Sequence, residues 1–385
     1  VSLRFRDFDA QAFLREYWQK KPLLIRNPWT EWRNPLEPNE LAGLACEAHV
    51  ESRLISEAAD EWALEHGPVA EDRFNELGKA PWTLLVQAVD HYVPEVAELL
   101  DPFRFIPNWR IDDVMVSYAT DGGGVGAHFD QYDVFLIQGL GRRRWELGGL
   151  CNDDTPLLPH DGLRLLAEFE PEQEWVLEPG DILYVPPQIA HRGVAVGHDC
   201  MTYSVGFRAP SRDELIAGWA DTVTSGDNDD DRYTDPDLAM QANAGEISDD
   251  ALARLRAMIA ERLNDKEAFA RWFGEFATAP KNDRIDWRLE NPVTIDHVSA
   301  MFETEQVVLR NPASRFAYIS EDGGEVLLMV DGECIPCGGT VAAFAKAICA
   351  GPRVEVTPDQ VFADVSELTC DLINRGCLAF ERGES

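Results

Sequence analysis

Val114-Met-Val-Ser-Tyr-Ala-Thr-Asp-Gly-Gly-Gly-Val-Gly-Ala-His-Phe-Asp130 is the stretch on which the fold turns. Its first five residues read as a β-strand, rich in β-branched and aromatic side chains. The glycines from Gly122 to Gly126 let the backbone bend tightly into a second extended segment. On that segment His128 and Asp130 stand two apart, so both side chains point to one face.

The spacing alone carries little. With eight His and 69 acidic residues in 385 positions, chance supplies about one or two His-x-Asp/Glu triplets. Two occur, His49-Val-Glu51 and His128-Phe-Asp130, and the first falls at the end of a predicted helix, where residues two apart share no face. The context distinguishes His128. Downstream, Pro179-Gly-Asp-Ile-Leu-Tyr-Val-Pro-Pro-Gln-Ile-Ala-His191 reads as an apolar strand ending in a proline turn that delivers His191 onto a neighbouring strand. Two His and one carboxylate on one octahedral face, with the opposite positions open, is the arrangement of non-haem Fe(II) oxygenases. Arg143, in Gly139-Leu-Gly-Arg-Arg-Arg-Trp145, is expected on the strand after the next turn. There its guanidinium suits bidentate capture of a co-substrate carboxylate, while Arg142 and Arg144 point away. The alternative is a metal-free or zinc-holding β-barrel with core histidines.

Outward from this stretch, short strands are expected at Val114–Tyr118, Val134–Gln138, Arg144–Leu147, Trp175–Leu177, Ile182–Val185 and Met201–Phe207. Glycine and proline clusters separate them, among them Gly139–Gly141, which is the pattern of a sandwich or small barrel. Before them, Asp9 caps a helix through Phe13 and Tyr17, and Leu23–Arg26 is a strand. Asn39 opens a second helix, and Pro81 opens a third through Leu84, Leu85 and Ala88. After Pro210 helices return at Asp213–Thr222, at Ser248–Leu263 with Leu252, Leu255, Ile259 and Leu263 on one face, and around Phe269–Phe276. Between the first two, Gly226–Asp231 is a like-charge loop. These helices have too little adjoining sequence to form a domain alone, so they are expected to pack against a second copy of the chain. From about Ile285 a helix at His297–Phe302, a strand Val307–Arg310, a hairpin Arg315–Ser320/Glu325–Val330, helices Val341–Cys349 and Ser366–Asn374 and a strand Leu378–Phe380 suggest a winged-helix-like module. Cys334-Ile-Pro-Cys337 has CxxC spacing but no second pair and only His297 near it, so it reads as a turn.

Composition limits the partners. Lys and Arg total 34 against 69 Asp and Glu, a formal charge of −35. That balance argues against nucleic acid and against anionic membranes, and favours a cationic partner; adaptation to salt or solubility is the blander reading. No apolar run reaches membrane-span length and the first residues do not resemble a signal segment, so a cytoplasmic location is expected.

As a set, five stretches carry a resemblance: Phe13–Leu24, Gly122–Asp133, Gly141–Trp145, Pro179–His191 and Tyr203–Pro210. With them the chain resembles the Jumonji-C (JmjC) 2-oxoglutarate oxygenases, and most closely the bacterial ribosomal oxygenases that hydroxylate an arginine of a large-subunit ribosomal protein. The resemblance implies an α+β chain: a double-stranded β-helix (cupin or jelly-roll) catalytic domain over 1–210, a helical dimerisation region over 211–280, and a winged-helix-like domain over 281–385. It implies Fe(II) on His128, Asp130 and His191, and 2-oxoglutarate held by Arg143. Two positions depart from the pattern: Ala119 stands where a hydroxyl is expected beside Arg143, and Thr202 where a related chain carries an amide. Thr202 is taken as a further co-substrate contact, and Tyr132, on the ligand face by alternation, as a substrate contact. The implied reaction is hydroxylation at C3 of an arginine with formation of succinate and CO₂, on a basic ribosomal protein, by a homodimer. The alternatives are a related oxygenase acting on His or Lys of another protein, or on a nucleic-acid base, which the charge disfavours, or a non-enzymatic cupin module.

Overall fold

Alternation along a few strands builds both the core and the cavity. In the computed structural model, which describes residues 4–58, 61–78, 80–225, 232–282, 284–304, 307–356 and 363–381, nine strands form one antiparallel sheet. They are β1 (Leu23–Ile25), β2 (Ser52–Ala58), β3 (Glu61–His66), β4 (Trp82–Val86), β5 (Ile111–Ala119), β6 (Val134–Leu150), β7 (Gln173–Leu177), β8 (Ile182–Val185) and β9 (Ile189–Phe207). The order is β1-β8-β6-β9-β5-β4-β2-β3, with β7 alongside β6. On β5, Val114 and Val116 enter the main core, while Met115 and Ser117 line a cavity. On β9, Met201, Tyr203 and Val205 enter that core, and Thr202 and Ser204 line the cavity. One period-two pattern thus supplies an apolar outer face and a polar inner one.

Two helices, α1 (Ala10–Glu16) and α2 (Pro38–Ala45), contribute Phe13, Leu41 and Ala45 to the core on the apolar face. The expected Asp9 cap is present, its side chain accepting from the Ala12 amide at 2.9 Å. Glu71–Glu76 (α3) and Pro94–Ala97 (α4) are short.

Several expectations are corrected. The run after Pro81 is strand β4, not a helix; Thr83, Leu84, Leu85 and Val86 are all buried between β2 and β5, and a strand covered on both faces shows no alternation to tell it from a helix. The hairpin β2–β3 has no counterpart in the expected elements. Gly139–Gly141 does not end a strand: β6 runs on through it, with register shifts against β9 and Gly141 at φ 58°. It is a bulge, which bends a strand without breaking its pairing. Arg143 therefore lies on the same strand as Val134. Cys334 and Cys337 lie in a strand, not a turn, and three residues apart on a strand they face opposite sides, which does not suit shared ligation.

The chain packs as two units. The first comprises 1–209, 281–314 and 350–385, the second 210–280 and 315–349, so the residues expected as one C-terminal module are shared between them. The first unit adds helices at Ile295–Thr304 and Ala363–Asn374 and a three-stranded sheet made by Arg353–Glu355, Val307–Arg310 and Leu378–Phe380. The second holds α5 (Arg212–Thr224), α6 (Asp249–Leu263) and α7 (Lys266–Thr278) with a meander of Phe316–Ser320, Val326–Val330 and Glu333–Cys337. Trp219 of α5 packs on Phe269 and Trp272 of α7 and donates its indole N–H to the Leu263 carbonyl at 3.1 Å. The apolar face of α6, with Leu252, Leu255, Ile259 and Leu263, is exposed. The like-charge loop 226–231 lies outside the described residues. Among the described residues no helix is long and apolar enough to cross a membrane.

Candidate metal and co-substrate site

His128 and His191 meet backbone to backbone. Each amide donates to the other's carbonyl, at 3.0 and 2.8 Å, so the segment 124–130 is pinned to β9 through isolated bridges at Gly124 and His128 rather than as a regular strand. Gly124 makes this approach possible, since a Cβ there would lie 2.5 Å from the Gly193 carbonyl oxygen. Asp130 is held by its own carbonyl, which accepts from the Gln188 amide at 2.7 Å. Beyond it, buried Asp133 anchors the segment through Tyr184 Oη at 2.6 Å, Gln19 Nε2 at 2.9 Å and Arg110 at 3.3 Å. Gln19 lies in the 13–24 stretch singled out in the sequence, whose end, β1, pairs with β8.

The ligand atoms of His128, Asp130 and His191 all lie within 4.8 Å of one another, and His191 Nε2 is 3.6 Å from Asp130 Oδ2. Nδ1 of His128 is 3.0 Å from the Gly126 carbonyl and Nδ1 of His191 is 2.9 Å from that of Ile189. A carbonyl only accepts, so each Nδ1 carries the proton and each Nε2 keeps its lone pair, the tautomer a metal needs. Burial, with the neighbouring His128 ring, lowers the His191 pKa to about 4, so it is neutral and ready to ligate at pH 7.

Arg143 enters the same cavity from β6. It is 3% exposed; its Nε reaches Cys200 Sγ at 3.4 Å, its Cζ lies 5.7 Å from the Trp145 ring centroid, and its buried Nη2 has no hydrogen-bond partner among the described residues. A buried guanidinium with an unmet donor is costly unless an anion completes it. A carboxylate of 2-oxoglutarate has that charge and geometry, so the residues fit both a divalent metal and this co-substrate.

The other expected residues are also in the cavity, of about 610 Å³, with different partners. Thr202 is buried on β9 and its hydroxyl donates to Gln138 Oε1 at 3.3 Å. Ala119 packs with Ala195 and Cys200, whose sulfur meets Arg143 where a hydroxyl was expected to help. Tyr132 is 43% exposed; partial burial and the nearby Asp130 carboxylate push its phenol pKa up. Missing from the sequence reading is a cluster in the wall: Asp112, Asp113 and Lys281, with the Lys281 ammonium 2.6 Å from Asp112 and 2.9 Å from Asp113. Lys281 is far from β5 in the chain, and no motif announces it.

A cupin-type antiparallel fold with two imidazoles, one carboxylate and a buried guanidinium around one cavity is the arrangement of a metal- and 2-oxoglutarate-dependent oxygenase. Comparison with known proteins agrees and narrows it: a JmjC domain is matched over residues 98–215. The ribosomal protein uL16 3-hydroxylase of Escherichia coli K12 is 41% identical over 310 residues, 80% of this chain and 82% of that protein. A probable ribosomal oxygenase of Haemophilus influenzae is 37% identical over 288 residues, 71% of this chain and 69% of that one. The solved structure of the E. coli ribosomal oxygenase YcfD in complex with cobalt and 2-oxoglutarate matches with a TM-score of 0.87 at 36% identity, over 99% of this chain and 100% of that chain. The chain belongs to the JmjC ribosomal oxygenase family.

Proposed function

We propose that this protein is an Fe(II)- and 2-oxoglutarate-dependent hydroxylase acting on C3 of an arginine in a large-subunit ribosomal protein. The observation that carries the reading is one cavity holding a two-histidine, one-carboxylate cluster beside a buried guanidinium with an unmet donor. When bound, the metal and 2-oxoglutarate supply oxygen activation coupled to decarboxylation. The chain's part is positional. His128, Asp130 and His191 would hold the metal, the Nδ1–H donors of the two histidines fixed by backbone carbonyls. Arg143 takes the distal carboxylate of the co-substrate, with Thr202 lining the same wall. Asp113 gives the cavity an anionic group for a guanidinium, and Tyr132 an aromatic side for its planar group. Together these would orient the substrate side chain within the cavity.

The charge of −35 assists the approach of a basic ribosomal protein and gives no support for nucleic-acid binding. The exposed apolar stripe of α6 is the surface through which a second copy of the chain docks, making a homodimer. A cytoplasmic location follows from a ribosomal substrate. The deciding experiment is incubation of the protein with purified large ribosomal subunits, Fe(II), 2-oxoglutarate and air, followed by peptide mapping. An arginine-containing peptide heavier by one oxygen atom, in equal yield with succinate, supports the function; turnover with the gain on another residue type, or no gain, overturns it.

A further inference from the structure

The Asp112–Asp113–Lys281 cluster bears on how the cavity chooses its substrate, and its geometry is asymmetric. On Asp113, Oδ2 is saturated: it accepts from Gln87 Nε2 at 2.7 Å, from the Ala88 amide at 2.9 Å and from the Lys281 ammonium at 2.9 Å. Its other oxygen, Oδ1, accepts no hydrogen bond among the described residues. It lies beside Gly206 in the cavity wall, where a Cβ would come within 3.7 Å of it. Lys281 is itself held from the far side by Asp112 at 2.6 Å.

We propose that Lys281 is a positioning residue for substrate recognition: clamped between Asp112 and Asp113, it pins the Asp113 carboxylate so that Oδ1 alone is presented to a cationic substrate side chain. This rests on the arginine-hydroxylase reading and deepens it. A carboxylate held on one oxygen by a cation and an amide cannot rotate to bury its charge or chelate a metal ion, so it offers a fixed acceptor with a defined direction.

The surrounding groups show why a cation is needed there. Asp113 is 3% exposed, and burial pushes its pKa up while Lys281 works against that. Asp90, from the turn at 89–91, is fully buried and accepts from the Val114 amide at 2.8 Å; burial and Asp113 raise its pKa to about 8. His91 stands 3.9 Å from Asp90, Asp112 flanks Lys281, and the Tyr132 phenol feels Asp113 across the cavity. Burial works against the Lys281 ammonium too, but Asp113 and Asp112 outweigh it and push its pKa up. Without the ammonium, Asp113 faces two other carboxyl groups in a desolvated wall, and it takes up a proton more readily.

The test is steady-state hydroxylation of a synthetic arginine peptide from a large-subunit ribosomal protein by the full chain, comparing wild type with Lys281→Met, Lys281→Arg and Asp112→Asn. Lys281→Met is expected to raise peptide KM about tenfold or more while kcat changes less than about twofold. Its KM should also worsen more steeply than that of wild type as pH falls from about 8 to 6. Lys281→Arg should restore most of the affinity, and Asp112→Asn should shift KM the same way by a smaller factor. If Lys281→Met does not fold, Asp112→Asn and Lys281→Arg still decide. An unchanged or lower KM in Lys281→Met, equal losses in kcat and affinity without rescue by arginine, or an unchanged KM in Asp112→Asn overturns the inference. Failure of wild type to hydroxylate the peptide overturns instead the reading on which it rests.

Discussion

Asp130 is the only anion among the three converging ligands, so its removal leaves two neutral imidazoles and an uncompensated dication. Asp130→Ala is expected to lower succinate formation at least about a hundredfold, with the fold retained by circular dichroism. Arg143→Met removes a buried cation whose unmet donor lies in that cavity and should raise the KM for 2-oxoglutarate by about ten- to a hundredfold; Arg143→Lys recovers part, since an ammonium keeps the charge but not the fork. His191 supplies a pH prediction. Its pKa is lowered from 6.5 to about 4, so the unfolded chain binds the extra proton first as pH falls. The metal-free protein should therefore lose stability progressively between pH 6.5 and about 4, by up to a few kcal/mol. Urea melts of wild type and His191→Gln across that window check it: the variant's stability should be flatter. At this scale, the convergence of His128, Asp130, His191 and Arg143 was legible because glycines, prolines and period-two spacing place side chains on faces. Asp113 and Lys281 were not, because an ion pair closed by tertiary packing leaves no trace in local spacing.

Legibility at the scale of elements followed burial. Strands with one face in the core and one in the cavity, such as β5 and the second half of β9, were legible from β-branched and aromatic residues set between glycine and proline clusters. β4, buried on both faces and preceded by a proline, imitated a helix, and the β2–β3 hairpin was lost with it. The glycine pair at 139 and 141 was read as punctuation; only the partner strand reveals that pairing continues across it. The glycines before His128 are a different case, needed for close approach. Gly124→Ala places a methyl against the Gly193 carbonyl and must push the 124–130 segment off β9. It should cost about 1–3 kcal/mol in thermal or urea unfolding and weaken metal binding, although residue 124 touches no ligand.

For the whole molecule, charge and the uncovered face of α6 set the expectations. With −35 spread over the chain, association with a basic substrate should slow as ionic strength rises. Peptide kcat/KM measured between low and high salt should fall severalfold, while the same assay varied in 2-oxoglutarate moves less. Equal values at both salts would assign the charge to solubility alone. Leu255→Glu with Ile259→Glu introduces charge on the apolar stripe, and light scattering should then show the chain at its 43.1 kDa monomer mass, whereas wild type is expected at twice that. These two residues lie outside the unit that holds the metal cluster, so Fe(II) binding should survive the change.

Whether three distant side chains hold a single metal beside a guanidinium that grips the co-substrate can be read in one titration. Under strict exclusion of oxygen, the purified protein is titrated with Fe(II) and 2-oxoglutarate, separately and together, and its visible absorption is followed. A charge-transfer band is expected only when both are present, saturating at one metal per chain, weakened in Arg143→Met and absent in Asp130→Ala. A band that persists in Asp130→Ala, or none with both components in the wild-type protein, would contradict that arrangement.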